Sequence, residues 1–214
     1  MINHQGIWLP AGETHLTAWM DKAGELVDGK GTYQIKKLRT ALSHCTRFRT
    51  AIDVGGHVGL WAMQLAKKFQ SVHAFEPVEA HRDCFMLNTH DLTNVTLHAA
   101  ALGMEEGMVR IETAPTSSGD SRIGGPGDIP LRTLDSYNIK DVDFIKLDCE
   151  GYEYFALRGG EQTIREYMPT IIVEQKPGRG QRFNLSELAG VEWLMTLGYG
   201  CVAKLSGDFV MVPK

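Results

Sequence analysis

The sequence predicts a doubly wound α/β fold on a mainly parallel sheet, and three observations carry this. Strand-like and helix-like segments alternate, several strands end on glycine or a carboxylate, and a tight hairpin closes the chain. Strands separated by helices pair in parallel with helices on both faces. The closing hairpin adds one antiparallel strand. A chain of 214 residues suits one domain with a sizeable core. We expect a single unit over 1–214, with 1–48 as N-terminal cap and lead-in helix and 49–214 as core.

Residues 1–32 are Gly-rich and weakly periodic, and read as the cap. From Tyr33 to Phe48, Ile35, Leu38 and Leu42 recur at helical spacing. Ala51 to Val54 is a first strand ending at Gly55-Gly56, and Leu60 to Phe69 the helix after it. Val72 to Phe75 is the second strand, ending at Glu76-Pro77, followed by a helix over Glu79 to His90. Val95 to Ala99 is the third strand and Met108 to Glu112 an extra short one. Residues 114–130 are a loop by their Ser, Gly and Pro content. Phe144 to Leu147 is the fourth strand, ending at Asp148, with a helix over Tyr154 to Tyr167. Thr170 to Val173 is the fifth, ending at Glu174. A helix over Leu185 to Leu197, with Ser186 as a candidate cap, leads to strands Tyr199–Lys204 and Phe209–Val212.

Net charge is −4, which argues against a broad nucleic-acid-binding surface. The four cysteines form no CxxC pair and no zinc-like cluster with histidine. Cys45, Cys84 and Cys201 are expected to be reduced and partly buried. The N-terminus lacks a signal-peptide pattern, and no apolar run approaches the roughly 20 residues of a membrane span. We therefore expect a cytoplasmic chain without a membrane partner.

In such sheets ligands bind at the carboxyl ends of the strands, where strand order reverses. Asp53-Val54-Gly55-Gly56-His57-Val58-Gly59 follows the first strand and opens a helix. Glycines allow a sharp turn and close ligand approach, and the helix start offers N–H groups. Gly55, Gly56, His57 and Gly59 are candidate cofactor contacts, with both a backbone-bonded and a functional His57 open. Glu76 follows Gly55 by 21 residues, the span of one βαβ unit, and an acid there accepts ribose hydroxyls. Pro77 and Ala101 join it at neighbouring strand ends. This pattern fits a dinucleotide or S-adenosylmethionine. Asp53 directly before the glycines favours the latter, where it orients the loop or the ligand's amino group.

The stretch from Asp148 to Glu153 places three carboxylates at the mouth of the fourth strand. Buried charge is costly unless it has a partner or a task. Asp148 and Glu150 are candidate catalytic residues, with Asp148 also facing the cofactor, whereas Glu153 reads as support for the next helix. Either of the first two could take a proton from an attacking hydroxyl. A divalent metal on Asp148, Glu150 and Glu174 could acidify that hydroxyl instead. Three carboxylates without a fourth ligand make a thin case, so no metal is expected.

The strings that carry these residues resemble one family. IKLDCEGYE resembles the IKIDVEGxE signature of FkbM-type methyltransferases, and DVGGHVG resembles their DVGANIG loop. FEPVEAHRDCFMLN, LRTLDSYNIKDVDFIKLDCEGYE and PTIIVEQK resemble three further blocks, in order, across about residues 50–176. The resemblance implies a class I methyltransferase fold with a seven-stranded sheet. It also implies S-adenosylmethionine as cofactor and O-methylation of a small molecule or sugar, with Glu174 at the site. Two departures stand out: Ala-Asn in the loop is Gly56-His57 here, and Glu-x-His at the fifth strand is Glu174-Gln175-Lys176.

Tyr33 and Lys36 either close over the cofactor or are simply solvated. Ser117, Ser118 and Asp120 form a substrate lid or an inert loop. His73, His81, His90 and His98 read as ordinary surface or core residues. A nicotinamide-dependent oxidoreductase would need GxGxxG and a Tyr-x-x-x-Lys or His group, and neither is found. A nucleic-acid methyltransferase would carry Asn/Asp-Pro-Pro-Tyr or Pro-Cys motifs, also missing. A non-catalytic adenosyl-binding protein is the third alternative, against which the acidic cluster argues.

Overall fold

The computed structural model describes residues 1–113 and 117–214. Seven strands form the main sheet: β1 (Thr50–Val54), β2 (Ser71–Phe75), β3 (Val95–His98), β4 (Val142–Leu147), β5 (Thr170–Glu174), β6 (Tyr199–Leu205) and β7 (Asp208–Pro213). Their spatial order is β6-β7-β5-β4-β1-β2-β3. The five strands from β5 to β3 run parallel, and β7 pairs antiparallel with both β5 and β6. Strand order reverses between β1 and β4, so a crevice opens at their carboxyl ends.

Side-chain alternation divides the core. Ile52, Val54, Ile145, Leu147, Ile171 and Val173 pack with Leu157, Ile164 and Leu194 on one face. Ala51, Phe144, Ile172 and Val210 pack with Leu38, Trp61 and Leu65 on the other. Full burial of such side chains is worth about 1.5–3 kcal/mol each. Alternation puts Asp53 and Lys146 on the second face, opposite one another in the β1–β4 register.

The cap is more ordered than its composition suggests. Strands Ile2–His4 and Ile7–Leu9 form a hairpin, followed by helix His15–Ala23 and a short hairpin of Leu26–Val27 with Lys30–Gly31. Ile7, Leu9, Leu16 and Met20 bury against Val58, Leu60 and Met63, just beyond the glycine turn. Long-range packing, not local periodicity, orders this segment.

Several boundaries differ from expectation. The lead-in helix covers only Ile35–Leu42. The expected helix over 154–167 is two, Glu153–Arg158 and Glu161–Tyr167. At the break the Gly159 carbonyl accepts the Asp135 N–H (2.9 Å), and the Asp135 carboxylate accepts the N–H groups of Gln162 and Thr163 (3.0 and 2.9 Å) at the start of the second helix. The last helix is Ala189–Thr196, and Ser186 does not cap it but donates to Glu192 (2.7 Å). Of the expected 114–130 loop, residues 114–116 lie outside the described residues. The remainder holds strand Arg122–Pro126, which joins Gly107–Glu112, Ile129–Arg132 and Ala101–Leu102 in a four-stranded sheet. Pairing to Ile111 and Glu112 overrides the loop-forming composition. Cys45 and Cys84 are buried, but Cys201 is exposed, because β6 is an edge strand.

Candidate active site

A cavity of about 410 Å³ lies at the carboxyl ends of β1, β2 and β4. Of the residues singled out from sequence, Gly55, Gly56, His57, Glu76, Pro77, Ala101, Asp148 and Glu150 line it. Asp53, Gly59 and Glu174 do not. Asp53 is fully buried beneath the turn, beside Lys146. Gly59 starts helix Leu60–Leu65 at φ 89°, with Phe85 and Thr89 against it. Glu174 lies behind Asp148, at the end of β5.

The glycine turn is shaped by its neighbours. Gly55 has φ 77°, and a Cβ there would lie 2.0 Å from the Asp148 carbonyl oxygen, so the ends of β1 and β4 meet backbone to backbone. The N–H groups of Gly55 and Gly56 both donate to the Phe75 carbonyl (3.1 and 3.0 Å). These two N–H groups are therefore committed to β2. Gly55 and Gly56 present backbone without side chains, next to the His57 ring.

Glu76 organises the adjacent wall. It is 4% exposed. Its carboxylate accepts the backbone N–H groups of His57 and Val78 (2.8 Å each) and the Nδ1–H of His81 (3.2 Å). Burial alone would raise its pKa, but the bond from His81 and the charges nearby outweigh this and hold it below the ordinary carboxylate value. His81 thus contributes to the site, which sequence reading missed; its spacing of five from Glu76 was the available signal. Burial pushes His57 down to about 3, so its ring is neutral.

A second network joins the cap to residues 117–121. Glu13 accepts Ser118 N–H (2.7 Å) and Leu16 N–H (2.8 Å), and the Ser118 hydroxyl also donates to it. With that hydroxyl proton on Glu13, the His57 Nε2–H donates to Ser118 Oγ (2.7 Å). Asp120 accepts from Arg179 (3.2 Å). Ser117, Ser118 and Asp120 therefore roof the cavity. Tyr33 lines it too, edge-on to Trp19, with burial and then the Asp148 charge pushing its hydroxyl up to about 12. Lys36 is exposed and outside the cavity, whereas Lys37 pairs with Asp208.

The acidic cluster divides by partner. Glu150, in the left-handed region at φ 57°, forms an ion pair with Arg179. Glu174 pairs with Lys176 (2.6 Å), yet burial and then the Asp148 charge push it up to about 8. Glu153 does not cap its helix from outside. As its first residue it accepts the N–H groups of Cys149 and Gly151 (2.9 and 3.0 Å), and burial pushes it up to about 7. Asp148 has no ion pair or side-chain hydrogen bond among the described residues. Oxygens of Asp148, Glu150 and Glu174 lie within 4.8 Å of one another, close enough to share a cation. Arg179 already stands at Glu150 and Lys176 at Glu174, so a divalent metal would have to displace two cations and these residues fit it poorly.

Comparison with known proteins agrees with this geometry. The family described as the Methyltransferase FkbM domain matches residues 53–200. Methyltransferase 1 of Beauveria bassiana is 22% identical over 162 residues, covering 60% of this chain and 65% of that relative. The chain thus spans just under two thirds of that relative's length. Methyltransferase FkbM of Methylobacillus flagellatus superposes with a TM-score of 0.54 at 19% identity, over 77% of this chain and 43% of its own. SMU.1697c of Streptococcus mutans, solved in complex with SAH, gives 0.53 at 12% identity, over 84% and 96%. An rRNA methylase of Streptococcus thermophilus gives 0.53 at 12%, over 86% and 97%. The fold is therefore that of the class I methyltransferases, and no helix among the described residues is long and apolar enough to cross a membrane. Since the family match covers well over half of its length, the chain belongs to the FkbM methyltransferase family.

Proposed function

We propose that this chain is an S-adenosylmethionine-dependent methyltransferase acting on a hydroxyl of a small-molecule acceptor, with Asp148 as general base. The observation that carries the reading is one cavity where the glycine turn, the Glu76 carboxylate and an unpaired Asp148 meet. S-adenosylmethionine, when bound, supplies a methyl group made electrophilic by its sulfonium. Glu76 fits the adenosine end. A carboxylate offers about four acceptor positions, and three are taken by protein donors, which leaves one for a ribose hydroxyl. The glycine turn allows close approach without competing side chains. Cap and lid exclude water from the acceptor side and favour a small substrate.

An alcohol must lose its proton as it attacks. Asp148 is the carboxylate suited to take it, because it lines the cavity without an ion pair, whereas Glu150 is held by Arg179 and Glu174 does not line the cavity. The test is calorimetry of the wild-type protein with S-adenosylhomocysteine and, separately, with NAD. Binding of the first and not the second is expected. The reverse pattern overturns the reading.

A further inference from the structure

We propose that Lys146 is a positioning residue for the cofactor turn, clamping the end of β1 with its ammonium group while neutralising Asp53 beneath it. This rests on the cofactor reading above. Lys146 lies opposite Asp53 in the β1–β4 register, so both side chains leave the sheet on the same face. Its Nζ is 3.0 Å from Asp53 Oδ1 and donates to the carbonyls of Gly55 (2.7 Å) and Val54 (3.3 Å). An ammonium has three N–H groups. Two of them go to the Val54 and Gly55 carbonyls and the charge faces Asp53, so Lys146 borders the cavity with its ammonium engaged by the protein. Burial opposes its charge, yet Asp53 and then Asp148 outweigh burial and hold the group protonated.

The clamp acts where geometry is tightest. Gly55 is in the left-handed region and touches the Asp148 backbone. The Asp148 N–H also donates to the Val54 carbonyl (3.2 Å), so one of the two carbonyls that Lys146 holds fixes the proposed base as well. Asp53 has no other ion partner among the described residues, and it is fully buried. Its place in the site is thus indirect: it keeps Lys146 in register and does not meet the ligand.

Two variants separate positioning from simple charge balance. Lys146→Met leaves Asp53 buried without a counter-charge, so it should melt earlier and bind S-adenosylhomocysteine at least about tenfold more weakly, the scale of one charge-assisted hydrogen bond. Asp53→Asn with Lys146→Met removes both charges but also the donor to Gly55 and Val54. It should recover most of the melting temperature while its dissociation constant stays raised by about tenfold or more. Failure of Lys146→Met to fold supports the neutralising role, and the double variant then decides the clamp. The proposal is overturned if the double variant binds S-adenosylhomocysteine like the wild type, or if it does not fold. A wild-type protein that does not bind S-adenosylhomocysteine defeats the cofactor reading itself, so the two failures are distinguishable.

Discussion

Replacing Glu76 with alanine should separate cofactor binding from fold stability. The side chain has two duties. Toward the protein it accepts the His57 and Val78 N–H groups and the His81 ring, and toward the cavity it keeps one acceptor position. A hydrogen bond from a neutral donor to a charged acceptor contributes about 1.5–3 kcal/mol. At 1.4 kcal/mol per tenfold, Glu76→Ala should weaken S-adenosylhomocysteine binding by about 10- to 100-fold. The same change strips two backbone donors of their acceptor, at up to about 1–3 kcal/mol each, so a lower melting temperature accompanies it. Calorimetry on the folded variant, at a temperature well below its transition, isolates the binding term. Glu76→Gln serves as a shape control: it keeps the volume but loses the charge and turns an amide donor toward other donors, so it too should bind weakly. A folded Glu76→Ala protein that binds within about twofold of wild type would falsify the ribose assignment.

Three further outcomes follow from the acidic cluster. Asp148→Asn should lower turnover by about 10²–10⁴, the usual loss on removing a general base. Glu150→Gln should change turnover by less than about tenfold while lowering stability through its lost ion pair with Arg179. If steady-state assays find the larger loss in Glu150→Gln, the roles of the two carboxylates are exchanged. S-adenosylhomocysteine binding and turnover should both survive excess chelator, because Arg179 and Lys176 already occupy the places beside Glu150 and Glu174 that a metal would take. Activity abolished by chelator and restored by Mg²⁺ refutes that. Glu174 is raised from 4.5 to about 8, so the folded state holds its proton where the unfolded state has lost it. Its contribution is therefore fully present below the ordinary carboxyl value and is lost as pH rises through about 8. In urea titrations from about pH 5 to about pH 9, wild type should lose stability relative to Glu174→Gln. A constant difference across that range contradicts the raised value.

Much of this protein was legible in one dimension because its signals are local. The alternation of β1, β4 and β5, the glycines after β1, the acid ending β2 and the hairpin of β6 and β7 are all set by residues adjacent in the chain. Their periodicity and turn chemistry report short-range sterics. The block order from Asp53 to Lys176 then located the crevice and picked out Glu76 and Asp148, both of which line it. Other features depend on partners distant in sequence, and only the folded chain decides them. Glu13 meets Ser118 across 105 residues, and Lys146 meets the Gly55 carbonyl across 91. The break at Gly159 brings in Asp135, which bonds to the Gly159 carbonyl and to the first N–H groups of the next helix. The strand at Arg122–Pro126 exists because Ile111 and Glu112 pair with it. Glu150 and Asp148 look alike in the sequence. Arg179, 29 residues beyond Glu150, is what separates them, since it pairs with Glu150 and leaves Asp148 without an ion partner among the described residues.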